Sequence, residues 1–493
     1  MNKFNFLNDS SISVLFEKNN KKIFVILFCI FFALLMFQIL TVKNQGQDSS
    51  WYIALGKNLA EHGSYSLEGR YSHSQYPPGF PLLIAAFYPF FKNAFISGLF
   101  VVALSSILIL YLTYIIGNSA DRKIGIIASF LLIFNTVFLA HSNFVLSQVP
   151  FTFFFIAGLY FFNKGFENEK YFLLSMPLIA MSCLIRFEGY LLIFPMIYLC
   201  FKNWSKTKKV IFRDKFLIGS FLGSLFLLWW FIRNYLVFGS FFPNPFRGGD
   251  FISYDSWIKT IFLADPILFI LFILGGLFLL KKRDEPLLMA FFIWFLGYSV
   301  LHSFWTKSIA YVPIIVPIMV LISSYGIINF FVKFKSRNKL KILSLILVLY
   351  LIFHSLIFFG VPLWKGSLEI NLWDQDFIQM EELSKFANTN LPYEGNYLVP
   401  DIAVYSYLDK SHILYYNEGL NKILSSGNFE NTFIVADTYH TWMTRPFLAG
   451  ENGSISMPLD GGKTLVLKTN LIKKVDKKEY YSIILNISEI QIK

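Results

Sequence analysis

The sequence predicts a polytopic α-helical membrane protein: about eleven transmembrane helices, interfacial helices in the first external loop, and a small C-terminal extracytoplasmic α/β domain. Three observations predict it. Of 493 residues 55% are hydrophobic and only 15% charged, where a soluble domain carries about a quarter charged. Runs such as 23–42 and 341–361 are apolar over the roughly 20 residues that a bilayer crossing takes. From about Trp364 onward the composition turns polar and mixed. The same figures exclude a disordered chain, a collagen and a nucleic-acid-binding tail.

The N-terminus is polar and places Lys18, Lys21 and Lys22 just before the first apolar run. That run is longer than a signal-peptide core and lacks a clear small-residue cleavage site, so it reads as a retained anchor with a cytoplasmic N-terminus. Further spans are expected at about 94–116, 124–140, 149–163, 171–185, 189–201, 216–235, 260–280, 286–304, 308–331 and 341–361. The apolar segment 79–91 holds Pro81 and Pro89 and is about 13 residues long, which suits an interfacial or re-entrant helix. If it does not cross, the basic loops at 122–123, 202–215, 281–283 and 333–341 all fall on the cytoplasmic side. Cytoplasmic segments then hold 22 Lys+Arg against 8 Asp+Glu, and the rest holds 21 against 23. The net charge of +12 is therefore a statement about orientation in a plasma membrane, and nucleic acid is not an expected partner.

Residues 1–361, with a first external loop at 43–93, form the expected transmembrane domain, and 362–493 the external one. In the latter, Trp373–Ala387 reads as an amphipathic helix. Short apolar runs at 397–399, 412–415, 433–436, 464–467 and 481–485 read as strands separated by Gly, Asn and Pro turns. Cys29, Cys183 and Cys200 lie in apolar segments; they give no disulfide framework and no metal-ligand spacing.

Charged groups near the external membrane face are few, and such groups are costly unless paired or functional. They are Asp48, Glu61, Arg70, Arg186, Glu188, Arg233, Arg247 and Lys307. A carboxylate among several cations suits an anionic substrate and proton abstraction. Asp48 opens a helical pattern closed by Gly63, and Tyr76-Pro77-Pro78-Gly79-Phe80-Pro81 follows. An N-cap and a stiff turn account for these features structurally, and a cap also fixes a catalytic carboxylate in place. Single histidines such as His62, His73, His141 and His302 are more often structural than ligands.

An acid just after the first span, an amphipathic helix and then Tyr-Pro-Pro-Gly-Phe-Pro resemble the GT-C superfamily of integral-membrane glycosyltransferases. The nearest branch holds protein O-mannosyltransferases and lipid A aminoarabinose transferases. Asn143–Pro150, Arg186-Phe187-Glu188-Gly189 and Trp229–Gly239 resemble later segments of that branch, and 307–317 matches loosely. The resemblance implies an inverting transfer of a sugar from a polyprenyl-phosphate donor to an acceptor hydroxyl. By resemblance, Asp48 is the general base and Arg186, Arg233 and Lys307 bind the donor phosphate. Glu188, His141, Gln148 and Tyr76 are candidate support. A leaving phosphate needs charge stabilisation, which arginine forks supply; snorkelling accounts for each cation singly. The chain departs from the family at Ser49, where many relatives have Glu, at Gln148, where an acid is common, and at Ala310-Tyr311 in place of Arg-Tyr. The secondary acids of a second carboxylate role or a metal site are thereby lost; a divalent metal stays open but unsupported, and no cofactor is assigned. A transporter or lipid flippase and a non-catalytic scaffold of the same fold compete with this reading. Nearly charge-free span interiors and the lack of a clear internal repeat count against the transporter. The sequence names neither the sugar nor the acceptor, be it protein, lipid or glycan.

Overall fold

A computed structural model of the chain describes residues 12–41, 47–67, 71–72, 76–210, 212–243, 257–304, 309–331, 336–358, 378–399, 408, 410, 412–415, 430–437, 451, 453–458, 464–477 and 480–492. The helices are α1 (Ile12–Thr41), α2 (Gln47–His62), α3 (Gly79–Phe91), α4 (Ala94–Ala120), α5 (Arg122–Phe134), α6 (Thr136–His141), α7 (Gln148–Gly165), α8 (Phe172–Ile185), α9 (Ile193–Lys202), α10 (Trp204–Val210), α11 (Asp214–Phe238), α12 (Trp257–Ala264), α13 (Pro266–Lys282), α14 (Pro286–Ser303), α15 (Val312–Phe331), α16 (Ser336–Phe358) and α17 (Ile378–Asn390). They fall into two compact units: residues 1–40, 74–80 and 100–372, and residues 41–73, 81–99 and 373–493.

In the first unit α8 packs against α7 and α11, α13 against α15, and α9 against α14. Helix α15 is almost wholly enclosed, because Val312, Ile314, Ile315, Ile318, Leu321 and Ile322 leave no polar face. Helix α11 shows the opposite pattern: Leu217, Phe221, Leu225 and Leu228 are exposed, as lipid-facing positions are. Five described helices are long and apolar enough to cross a bilayer singly, or six when the pair α12–α13 is taken as one.

Several expected spans are interrupted. Segment 124–140 is α5 and α6, which meet at Asn135; its side chain accepts the Phe138 N–H and caps α6. Segment 260–280, expected as one span, is α12 and α13, bent by 115°. The cause is local. Pro266 has no N–H to continue α12 and suits the first turn of a new helix, while Asp265 accepts the Leu268 N–H and caps that helix.

In the second unit α2 begins at Gln47, so Asp48 is its second residue, in the first turn, and not the expected N-cap. Gly63 closes it with φ +65. Strands β1 (Ser66–Leu67) and β2 (Tyr71–Ser72) form a short antiparallel pair that the sequence did not announce. A six-stranded sheet follows, built from β3 (Asn396–Val399), β4 (His412–Tyr415), β5 (Thr432–Asp437), β6 (Ser454–Pro458), β7 (Thr464–Lys477) and β8 (Tyr480–Ile492), in the order β4-β3-β5-β8-β7-β6. β3 runs parallel to β4 and β5, and the other pairs are antiparallel. Leu398, Ile434, Leu465, Leu467, Ile483 and Leu485 form its core. Helix α17 packs on β7 and β8 through its alternating apolar face, with Leu383 and Ala387 buried; positions 373–377 of the expected helix lie outside the described residues.

Candidate functional site

Arg186 ends α8. Its backbone is extended (φ −150, ψ 144), and its N–H donates to Ser182 O at 3.0 Å. A 3₁₀ turn, Phe187–Leu192, follows at once, and the reversal brings Glu188 back beside Arg186. Two motif glycines hold this turn tightly. A Cβ on Gly189 would lie 2.7 Å from the Cys183 backbone nitrogen, and one on Gly79 would lie 2.6 Å from the Leu184 carbonyl carbon. The Pro-Pro-Gly segment and the Arg-x-Glu-Gly turn are thus backbone neighbours, with Arg186 directly after the contact.

All three guanidinium nitrogens are engaged. Nε and Nη2 donate to Glu188 Oε1 at 3.2 and 2.6 Å, and Nη1 donates to Ser147 Oγ at 2.9 Å. It lies over the Tyr311 ring, 5.1 Å from the centroid. The side chains are only 13% and 10% exposed, so this is a buried ion pair with near-complete hydrogen bonding, the condition under which such a pair holds. Glu188 lies in the turn between expected spans. Burial pushes its carboxyl up, but Arg186 and then His302 outweigh this and bring it down to about 2.

His302 is the residue that sequence reasoning set aside. Its Nε2 lies 3.7 Å from Glu188 Oε1. Its ring stacks on Trp257 at 4.9 Å and is tilted against Tyr298 at 4.3 Å and Tyr311 at 4.8 Å. The aromatic column runs on through Trp294, stacked on both Tyr298 and Phe155. Tyr311, noted in the sequence only as half of an altered pair, touches both Arg186 and His302. Nothing in the local sequence of His302 points to Glu188, since the two are brought together by α14 packing on the turn.

The other predicted residues are placed as follows. Gln148 opens α7 next to Ser147; it is buried, and its Oε1 has no hydrogen-bond partner among the described residues. Tyr76 is half-buried ahead of Pro77 and Pro78, which are buried. His141 is buried at the end of α6, where its Nδ1 meets Val137 O at 2.9 Å. Arg233 lies on α11 over the rings of Trp230 and Phe238, and its Nη1 donates to Asn234 Oδ1 at 3.0 Å. Asp48, in the second unit, is exposed in the first turn of α2, where the helix N-terminus favours a carboxylate. In the same unit Tyr88 donates to Glu61. Lys307, Arg70, His73 and Arg247 lie outside the described residues. Among the described residues no group of three or more His, Cys, Asp or Glu converges as a metal site.

Residues 75–232 match the family model described as dolichyl-phosphate-mannose-protein mannosyltransferase. The segment contains the Tyr-Pro-Pro-Gly-Phe-Pro, Asn143–Pro150 and Arg186–Gly189 motifs, and excludes Asp48, Arg233 and Lys307. The fold is similar to that of ArnT from Cupriavidus metallidurans bound to undecaprenyl phosphate, with TM-score 0.67 and 11% identity over 94% of this chain and 98% of that one. It is also similar to the archaeal oligosaccharyltransferase AglB from Archaeoglobus fulgidus in complex with an inhibitory peptide and a dolichol-phosphate (TM-score 0.52, 12% identity, 91% of this chain and 74% of that one). An uncharacterised protein of Aquifex aeolicus (strain VF5) is 26% identical over 336 residues, 62% of this chain; the match spans 64% of that relative's length. The matched family segment covers about a third of the chain, and the fold over most of its length is similar to those of ArnT and AglB. It is a multi-pass membrane protein.

Proposed function

We propose that this chain transfers a sugar from a polyprenyl-phosphate-linked donor to an acceptor hydroxyl on the extracytoplasmic face of the plasma membrane, with inversion. The observation that supports it best is Arg186. A buried guanidinium, braced by Glu188, Ser147 and Tyr311, lies within the segment matched to a mannosyltransferase family. Arg186 stabilises the phosphate that leaves the anomeric carbon, since its fork matches phosphate geometry. Arg233 and Lys307 add positive charge. Asp48 takes the proton of the attacking hydroxyl; it stands in the first turn of α2, and a positioned base is worth about 10²–10⁴-fold. Gln148, His141 and Tyr76 support the walls of the site.

The orientation follows from the basic loops: eleven spans, with the N-terminus cytoplasmic and 43–93 and 362–493 outside. The acceptor is a protein, lipid or glycan.

A sugar-transfer assay in membranes with Asp48→Asn tests the assignment of the base. Loss of about 10²–10⁴-fold in rate at unchanged expression is expected; a folded variant at the wild-type rate removes Asp48 from the role. Reporter fusions after Lys215 test the orientation, and an external reporter overturns it. Lipid transport is a second reading, favoured by the buried Asp265–His354 pair, because intramembrane ionisable groups are commonly functional. Movement of labelled polyprenyl phosphate without sugar transfer selects it.

A further inference from the structure

All three guanidinium nitrogens of Arg186 donate to Glu188 or Ser147 in this structure, and the adjacent carboxylate cancels its charge. A phosphate arriving at this pair meets a neutral assembly and has to share the guanidinium with Glu188. Breaking a buried pair by taking one partner away leaves the other uncompensated, which is costly. If Arg186 is to serve the donor, something else has to hold Glu188.

The geometry points to His302. Glu188 Oε1, the oxygen that takes both Arg186 bonds, is also the oxygen nearest to His302 Nε2, at 3.7 Å. That is an ion-pair distance but too long for a hydrogen bond, so a small swing of the carboxylate exchanges one donor for the other. We propose that His302 is a positioning residue that accepts a proton from solvent and takes over the Glu188 carboxylate when Arg186 turns to the donor phosphate. Binding of an anion at this site is then accompanied by uptake of one proton. The proposal rests on Arg186 being the phosphate-binding residue. No covalent bond to the ligand forms, and the proton adds to the imidazole alone.

His302 is 2% exposed and lies among aromatic faces, which attract a cation. The groups that face it are Glu188 from the 3₁₀ turn, Arg186 just before it, Tyr311 just ahead of α15, Trp257 from α12 and Tyr298 from its own helix. Among these Glu188 is the acid and Arg186 the fixed cation. With His302 neutral the set carries no net charge, and with His302 protonated it carries one positive charge, which complements an anionic lipid phosphate. Tyr311 touches both Arg186 and His302, so one ring supports both cations through the exchange.

The test is calorimetric titration of the purified full-length protein with undecaprenyl phosphate near neutral pH, in two buffers of different ionisation enthalpy. The wild type is expected to take up about one more proton per lipid bound than His302→Gln. Its dissociation constant, corrected for the titration of the phosphate itself, should rise by up to about tenfold per pH unit on the alkaline side. Glu188→Gln removes the anion that holds the imidazolium and should lose the same proton. Equal proton counts in wild type and His302→Gln overturn the proposal. If neither variant folds, the wild-type count alone decides: about one proton beyond the phosphate's own titration supports the proposal, and none overturns it. An Arg186→Gln protein that binds as tightly as wild type, or a wild type that does not bind the lipid, instead defeats the reading of Arg186.

Discussion

Asn135 and Asp265, 130 residues apart, hydrogen-bond to one another: Asn135 Nδ2 donates to Asp265 Oδ2 at 2.9 Å. Each is also the N-cap of a helix, α6 and α13. Two helix breaks therefore share one buried contact. Helix α16 completes it, with His354 Nε2 at 3.0 Å from the same Asp265 oxygen and the Tyr350 hydroxyl at 3.2 Å from Asn135 Nδ2. The Thr136 N–H donates to His354 Nδ1 at 3.2 Å, which makes that nitrogen the acceptor and puts the ring proton on Nε2, facing the aspartate.

Asp265→Ala removes the acceptor for Asn135, His354 and the Leu268 N–H together. A loss of about 3–5 kcal/mol is expected, as when one partner of a buried polar pair is deleted. Asn135→Ala should cost about 1–3 kcal/mol, and the double variant less than the sum by about 0.5–3 kcal/mol. Thermal unfolding of the purified protein in one fixed detergent measures all three, and strict additivity contradicts a shared junction.

Gly79→Ala tests the contact between the Pro-Pro-Gly segment and the turn that carries Arg186. The new methyl group meets the backbone at Leu184 and Ile185, at 2.6–2.7 Å, and backbone cannot rotate away as a side chain can. Overpacking of this kind costs about 1–3 kcal/mol. Because the displaced segment leads straight into Arg186, lipid-phosphate binding should fall at least about tenfold more than the stability loss accounts for. Unchanged binding in a folded Gly79→Ala protein separates the two motifs.

Much of this architecture is legible in the sequence for a physical reason: hydropathy reports burial in lipid directly. The helix 79–91 is found at the expected bounds, and β4 likewise. What escapes is what depends on tertiary approach. Asp265-Pro266 carries a local signal for a break, yet a 21-residue apolar window hides it. The meeting of His302 with Glu188 has no local signal at all, because α14 and the 3₁₀ turn are far apart in the chain. β7 and β8 run on past their apolar stretches, to Lys477 and Ile492, since paired polar residues on an exposed sheet face carry no hydropathy mark. At the site, the Arg-x-Glu-Gly motif drew attention to Arg186 and Glu188, which form an ion pair, and His302 meets them only in three dimensions.

Glu285 supplies a pH prediction away from the site. It precedes Pro286 at the head of α14, makes no side-chain cap, and is half-buried. Burial, then Asp284 and Asp121, push its carboxyl up to about 7 from an ordinary 4.5. The folded chain then binds more protons than the unfolded one between those values, so stability falls as pH rises through this window and does not recover above it. Glu285→Gln should raise the melting temperature above about pH 8 and change it little below about pH 4. The gain is no more than about 1 kcal/mol once solvent screening at this partly exposed position is allowed for. A larger gain in acid than in alkali reverses the sign and rejects the account.

Glu188 has the opposite sign. Its carboxyl stands at about 2 in the folded chain against an ordinary 4.5, so its contribution is fully present above 4.5 and is lost as pH falls from there towards 2. This holds only while Arg186 is present. Arg186→Ala leaves burial opposed by His302 alone, at a cost of about 3–5 kcal/mol near neutral pH. The direction of the acid response should then invert, with the variant gaining stability relative to wild type as pH falls and a proton makes up the missing positive charge. Glu188→Gln keeps a hydrogen-bonding oxygen for Arg186 but leaves that charge unpaired, and the double variant Arg186→Ala/Glu188→Gln removes both charges and should be more stable than Arg186→Ala alone. Melting curves of the four proteins from acid to neutral pH resolve this pattern. An Arg186→Ala protein that loses stability in acid in parallel with wild type shows that Arg186 is not what holds Glu188 ionised.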